Sequence, residues 1–430
     1  MTEEEKIMTA TKNNHTAMTY ESEYMDTLKT LYKENSQIEE LRYFLNTSYL
    51  YFNREKMARR QPKVIVLGTS IPEELIYAAG AKPFWILGGS LGTVAWSDDL
   101  VPRDTDPVSR SMLGFLHNDH FDLGREALII VPITCDSHRK IAGLLKNAGK
   151  QVVTVDIPPD KKDPLAGIKW KKQMELLAEK LTDHTGSRIT RKSLTQASRL
   201  VETARKLMRD FITVGQKQDG LITGSVRMAV LNSYYHTNDL KLWCNQLRKL
   251  NLALLKNRKV IPAGETNKPT ILLMGSPVTF PNYKIPFLIE DIGLKIGAVL
   301  DTTTPKMMAS SNDSHQTNDP FDEIIFAHYR YDCSAAYSKN DRLYASALGH
   351  LKQGTIEGVV FHVLKGQIEY DFELERFEQL FATKEIPVFR LETDYQYQDV
   401  EQLRIRMEAF MEMLTQSRLR DACHLEKAAI

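Results

Sequence analysis

Residues 127–136 read Ala127-Leu128-Ile129-Ile130-Val131-Pro132-Ile133-Thr134-Cys135-Asp136. The apolar run from Ala127 to Ile133 reads as a buried strand, and Thr134-Cys135-Asp136 as the turn that ends it. In open α/β sheets ligands bind outside the carboxyl ends of the strands, so Cys135 stands where chemistry is expected. The chain has only four cysteines in 430 residues. Whether Cys135 ligates a metal, acts as a thiol or fills space is therefore the main functional question.

The alternation of strands and helices extends to both sides of this stretch. Upstream, Val64 to Leu67 is a short β-branched run, followed by Gly68-Thr69-Ser70-Ile71-Pro72, a helical stretch from Leu75 to Ala79 and the stop at Gly80. Pro83 to Leu87 is a second strand. Downstream, His138 to Asn147 is a helix and Gln151 to Asp156 a fourth strand. Strands separated by helices predict a parallel sheet of βαβ units.

From about Asp163 to Lys256 the strands stop, and Leu176 to Leu181, Leu194 to Met208 and Leu240 to Leu255 place apolar residues at helical spacing. After Pro262-Ala263-Gly264 the alternation resumes. Strands fall at Thr270 to Met274, Lys295 to Leu300, Gly358 to Val363 and Pro387 to Glu392, with helices at Pro286 to Ile292, Phe372 to Phe381 and Val400 to Arg418. The segment from Tyr20 to Arg60 reads as one or two amphipathic helices, and Met1 to Thr16 as disordered. The expected fold is α/β, with two Rossmann-like parallel-sheet lobes facing a central cleft. The expected divisions are N-terminal helices (1–60), a first lobe (61–160), a helical insert (161–262) and a second lobe (263–430). The matching order of turns and helices in the two lobes is compatible with internal duplication.

Composition narrows the function classes. A chain of 430 residues with 42% hydrophobic and 26% charged residues is a globular protein of two or three domains. Its formal charge of +1 gives no reason to expect a nucleic-acid partner. No stretch approaches the roughly 20 apolar residues of a membrane span, and residues 1–18 lack the apolar core of a secretory signal. Cys135, Cys244, Cys333 and Cys423 form no CxxC pair, as expected in a reducing compartment, so the expected location is cytoplasmic. No Walker-type loop is present, so ATP hydrolysis by this chain is not expected.

The expected cleft-lining loops are Gly68 to Glu73, Cys135 to Arg139, Gly275 to Asn282, Asp301 to Lys306 and Lys365 to Tyr370. Several motifs occur in order: Pro72-Glu73-Glu74-Leu75-Ile76 with Ala78-Ala79-Gly80, Thr134-Cys135-Asp136, and Gly275 followed by Ile289-Glu290-Asp291-Ile292-Gly293. Further on come Gly358-Val359-Val360, Ile386-Pro387, Glu392-Thr393-Asp394-Tyr395 and Arg404-Ile405-Arg406-Met407-Glu408-Ala409-Phe410. Together they resemble the 2-hydroxyacyl-CoA dehydratase and benzoyl-CoA reductase family over about Pro62 to Leu414.

That resemblance implies a lyase subunit acting on acyl-CoA thioesters by reductive radical dehydration. It also implies a 4Fe-4S cluster held by cysteine thiolates, a related second subunit in a heterodimer, and a separate ATP-dependent activator. Soft anionic thiolates suit such a cluster. In this chain Asp106, Thr303 and Gln367 stand at the family's other cysteine positions, within Thr105-Asp106-Pro107, Asp301-Thr302-Thr303-Thr304 and Lys365-Gly366-Gln367. Only Cys135 is retained. The candidate catalytic residues are Glu73 and Cys135; Cys135, Asp106, Thr303 and Gln367 mark the cofactor site, with Cys135 as its metal ligand. Two alternatives stay open: a non-catalytic partner subunit of such a complex, or a cleft-binding protein using Asp106, Cys135 and Asp301 around a different ligand or metal.

Each candidate also has a plainer role. Glu73 and Glu74 open a helix, where carboxylates favour the dipole. Asp136 suits helix capping, while His138 and Arg139 are candidates to bind phosphate or carboxylate near that helix start. Cys333 either reaches the cleft or is buried, Cys244 fits a core and Cys423 a charged tail. His117 and His120 lack a third ligand. Asp394-Tyr395 fits either the cleft or a turn.

Overall fold

The structure, a computed structural model, describes residues 19–35, 37–53, 55–56, 62–117, 126–217, 221–257, 268–304, 318–352 and 355–428. Met1 to Thr16, His120, Pro262-Ala263-Gly264 and the Cys423 side chain lie outside what is described. The chain opens with helices α1 (Tyr20–Glu34) and α2 (Leu41–Phe52). Thr19 caps α1 by accepting the Ser22 backbone N–H.

The first lobe runs β1 (Val64–Leu67), α3 (Glu73–Ala78), β2 (Pro83–Ile86), α4 (Leu91–Ala95), α5 (Pro107–His117), β3 (Leu128–Ile133), α6 (Asp136–Asn147) and β4 (Gln151–Asp156). Four helices follow: α7 (Ala166–Thr185), α8 (Arg191–Lys217), α9 (Gly224–His236) and α10 (Leu240–Lys256). The second lobe contains β5 (Thr270–Gly275), α11 (Lys284–Asp291), β6 (Lys295–Leu300), α12 (Pro320–Tyr331), α13 (Asp341–Leu351), β7 (Gly358–Leu364), α14 (Ile368–Ala382), β8 (Val388–Thr393) and α15 (Val400–Ala428).

All strand pairs in both sheets are parallel, and the strand orders are β2-β1-β3-β4 and β6-β5-β7-β8. Each lobe therefore places its first strand between its second and third. β1, β3, β5 and β7 are buried along their whole length, as strands covered on both faces must be. Period-two geometry divides β5 between two cores: Ile271 and Leu273 join a large core shared with the first lobe and the helical region, while Leu272 and Met274 pack with Phe361, Phe377 and Phe381 on the other face.

The eight strands fall where the sequence predicts them. Five helices were not anticipated: α4, α5, α9, α12 and α13. α9 is buried on nearly every side, so its sequence carries no amphipathic stripe. α5 and α12 both open on proline, Pro107 and Pro320, whose fixed φ suits a first helical turn. α14 begins four residues before the predicted Phe372, because Gly366 turns the chain at φ +86° and Glu369 and Asp371 then favour the new helix start.

Candidate functional site

The loops after the strand ends of both sheets converge on one pocket. Gly68, Thr69, Ser70, Asp106, Ser109, Cys135 and His138 line it from the first lobe; Thr279, Thr302, Thr303, Gln367, Glu369 and Tyr370 line it from the second. Hydrogen bonds close the seam between lobes. Thr69 Oγ1 donates to the Thr302 carbonyl at 3.3 Å, Ser70 Oγ to Asp332 at 3.1 Å, and the Gly89 N–H to the Tyr395 hydroxyl at 3.1 Å.

Cys135, Asp106, Thr303 and Gln367 all line this pocket. Cys135 is the N-cap residue of α6 and makes no side-chain capping bond; Asp136 is not the cap but lies in the first turn. Asp106 is buried at the start of α5, where its Oδ1 accepts the Ser109 N–H at 2.9 Å and Gln367 Nε2 at 3.4 Å. The Thr303 hydroxyl donates to Asp301 Oδ1 at 2.7 Å, and the same carboxylate oxygen takes the Thr303 and Thr304 N–H groups. Asp301 thus shapes its own loop.

Burial, followed by the charge of Asp106, pushes the Cys135 thiol up to about 12, so it is protonated at neutral pH. Burial, with Asp106 and Asp136 adding to it, raises the Glu369 carboxyl to about 7. His138 is lowered by burial, and its Nδ1 lies 2.9 Å from the Pro132 carbonyl and 3.0 Å from the Thr134 hydroxyl. No lysine or arginine is among the described residues that line the pocket.

Glu73 does not line this pocket. It is 1% exposed, accepts the Tyr234 hydroxyl at 2.8 Å and pairs with Arg205 of α8 at 3.3 Å; Glu74 pairs with the same guanidinium at 2.9 Å. Both carboxylates clamp α3 to the helical region. Cys333 is buried, its thiol donating to the Tyr331 carbonyl at 3.3 Å, and it is Ser334 and Ala335 that reach the pocket. Cys244 lies in the core. Arg139 pairs with Asp156 in solvent, Asp394 pairs with Lys365, and buried Tyr395 serves the lobe seam.

A thiolate-held iron–sulfur cluster does not fit these residues. Cys135 is the one thiol among the described residues that line the pocket, and the Met112 thioether beside it is no thiolate. At the other three positions a carboxylate caps a helix, a hydroxyl is committed to Asp301, and an amide nitrogen points at Asp106. Among the described residues no trio of His, Cys, Asp or Glu is placed to hold a metal ion, and no helix is long and apolar enough to cross a membrane. The sequence motifs did not single out Ser109, Thr279 or Glu369. Thr279 and Glu369 lie within the expected cleft-lining loops Gly275 to Asn282 and Lys365 to Tyr370, which gave their place but not their role.

Comparison with known proteins gives a consistent result. The family model described as 2-hydroxyglutaryl-CoA dehydratase, D-component, matches residues 69–414. A protein of Escherichia coli (strain K12) named as a dehydratase subunit, YjiM, is 26% identical over 359 residues, covering 82% of this chain and 91% of the relative. The (R)-phenyllactyl-CoA dehydratase beta subunit of Clostridium sporogenes is 23% identical, covering 80% of this chain and 89% of its own. The (R)-2-hydroxyglutaryl-CoA dehydratase subunit beta of Acidaminococcus fermentans is also 23% identical, over 80% and 90%.

Proposed function

We propose that this chain, which belongs to the 2-hydroxyglutaryl-CoA dehydratase D-component family, is a subunit of a 2-hydroxyacyl-CoA dehydratase-type complex and holds no iron–sulfur cluster of its own. Its place is in a cytoplasmic heteromer with a related subunit. That partner carries the cluster and the one-electron chemistry, fed by an ATP-dependent activator, while this chain helps to shape the acyl-CoA site. The observation that carries the reading is the pocket itself: it lies where both sheets direct their strand ends, yet Asp106, Thr303 and Gln367 surround a single thiol. A protonated, partly buried Cys135 is a small, weakly polar wall residue there, nearer a hydrophobe than a ligand. That three relatives are named as dehydratase subunits, two of them beta subunits, supports a heteromeric role.

The test is anaerobic co-production with a related second subunit, separation of the two chains, and determination of iron and acid-labile sulfide on each. Iron and sulfide are expected with the partner alone, and dehydration of a 2-hydroxyacyl-CoA by the complex should survive Cys135→Ala. Stoichiometric iron and sulfide on this chain would overturn the proposal.

A further inference from the structure

We infer that the pocket between the lobes is a site for a hydrated, oxygen-seeking divalent cation of the magnesium or manganese type, held by Asp106 and Gln367 with Ser109 and Glu369 beside them. The inference rests on the reading of this chain as free of a cluster and assigns a ligand to the same pocket.

Two buried atoms point to a ligand. Ser109 is 1% exposed and Gln367 8%; both line the pocket, and neither the Ser109 hydroxyl nor Gln367 Oε1 has a hydrogen-bond partner among the described residues. A buried polar atom left without a partner is unfavourable, so two around one pocket mark an unmet coordination demand. The amide of Gln367 is oriented by its own Nε2, which donates to Asp106 Oδ1 at 3.4 Å. That bond leaves Oε1, an acceptor with no proton, to face another group.

The remaining lining selects the charge of that group. Asp106 and Glu369 are carboxyl groups, and Thr279 and Thr303 bring hydroxyl oxygens. The helix starts of α5, α6 and α14, which otherwise attract anions, each carry a carboxyl residue of their own: Asp106, Asp136 and Glu369. With no lysine or arginine among the described residues that line the pocket, an anionic ligand meets no fixed positive charge there. A cation has several. Carboxylate, carbonyl and hydroxyl oxygens are hard donors, which favour magnesium or manganese over iron–sulfide or zinc. Magnesium keeps several of its waters and takes one or two carboxylates, so the lack of a three-ligand protein cage does not argue against it.

The full chain, stripped with EDTA and handled anaerobically, is titrated with manganese(II) and followed by electron paramagnetic resonance, with magnesium as competitor. One saturable manganese per chain is expected, displaced by magnesium. Asp106→Asn keeps a good helix cap and is expected to weaken binding about tenfold or more, as loss of a ligand charge should. Gln367→Leu is the second variant, expected to weaken it less, and circular dichroism melting checks that each variant folds. Absence of saturable manganese binding by the natural chain, or unchanged affinity in the folded variants, overturns the inference. Iron and sulfide determination separates the two readings: neither manganese nor iron sinks the cation alone, whereas stoichiometric iron with sulfide sinks both.

Discussion

The two lobes share a strand order but not the chemistry at their strand ends. In the first, the third strand β3 leads through Thr134 to Cys135, the N-cap of α6; in the second, β7 leads through Lys365 and Gly366 to Gln367, the N-cap of α14. Equivalent places in two like sheets thus present a thiol and an amide to the same pocket. The turns after the first strands differ as well. Gly68 and Gly275 both have positive φ, +86° and +108°, but a Cβ on Gly68 would lie 3.6 Å from His138, while one on Gly275 would press into the His362 carbonyl oxygen. Topology fixes where these positions are, and local packing decides how much each tolerates.

The largest way to break this parallel is at the buried cations. Arg205 ties α3 of the first lobe through Glu73 and Glu74, whereas Lys284 ties α11 of the second to Thr393, to backbone carbonyls and to the half-exposed Asp399. Arg205→Leu leaves two carboxylates buried without their cation and should cost about 3–5 kcal/mol in urea unfolding. Lys284→Met should cost less, because one charged partner stays near water; an equal or larger loss would contradict the ordering.

The glycine pair comes next. Gly275→Ala adds a backbone clash to left-handed strain and should cost ~3 kcal/mol, against ~1–2 kcal/mol for Gly68→Ala. Equal melting temperatures for the two variants would show that the turns are interchangeable.

Glu369 gives a smaller effect with a defined pH window. Its carboxyl is raised from 4.5 to about 7, so its contribution to stability is fully present below pH 4.5 and is lost as the pH rises through 7. Glu369→Gln should therefore match the natural chain near pH 4 and exceed it by about 2 kcal/mol at pH 8 when both are stripped of metal with EDTA. Unfolding curves at the two pH values decide the matter.

The smallest effect is at Cys135. Cys135→Ala should change stability by no more than about 1 kcal/mol. Site-resolved alkylation of the natural chain should still be accelerating above pH 9, because the thiol is held up to about 12. A rate that levels off by pH 9 would show a thiolate that the pocket does not bury.

The strands were legible because a parallel strand covered on both faces must be a short apolar run, and β1, β3, β5 and β7 are such runs. The pocket loops were legible for the same reason, since they follow those strands. Individual roles were less so. Glu73 sits in a motif that points toward the strand ends, but its partner Arg205 comes from a helix 132 residues away, and no local pattern announces that pairing. Ser109 lies in the first turn of a helix that the sequence did not mark, and Gln367 acquires its unmet oxygen only when Asp106, 261 residues distant, takes its amide nitrogen.

One N-terminal contact bears on how the chain is made. Helix α1 inserts Glu23 against the start of α4, taking the Ser90 hydroxyl at 2.7 Å and the Leu91 N–H at 2.9 Å, and Thr27 on the same helix donates to the Pro281 carbonyl at 2.8 Å. The two ends of that last bond are 254 residues apart. At a synthesis rate of about 5–20 residues per second, α1 waits roughly 10–50 s after leaving the ribosome before its second docking site exists. A segment synthesised ahead of both lobes is thus fully fastened only after them, and it latches the lobes together once both are present.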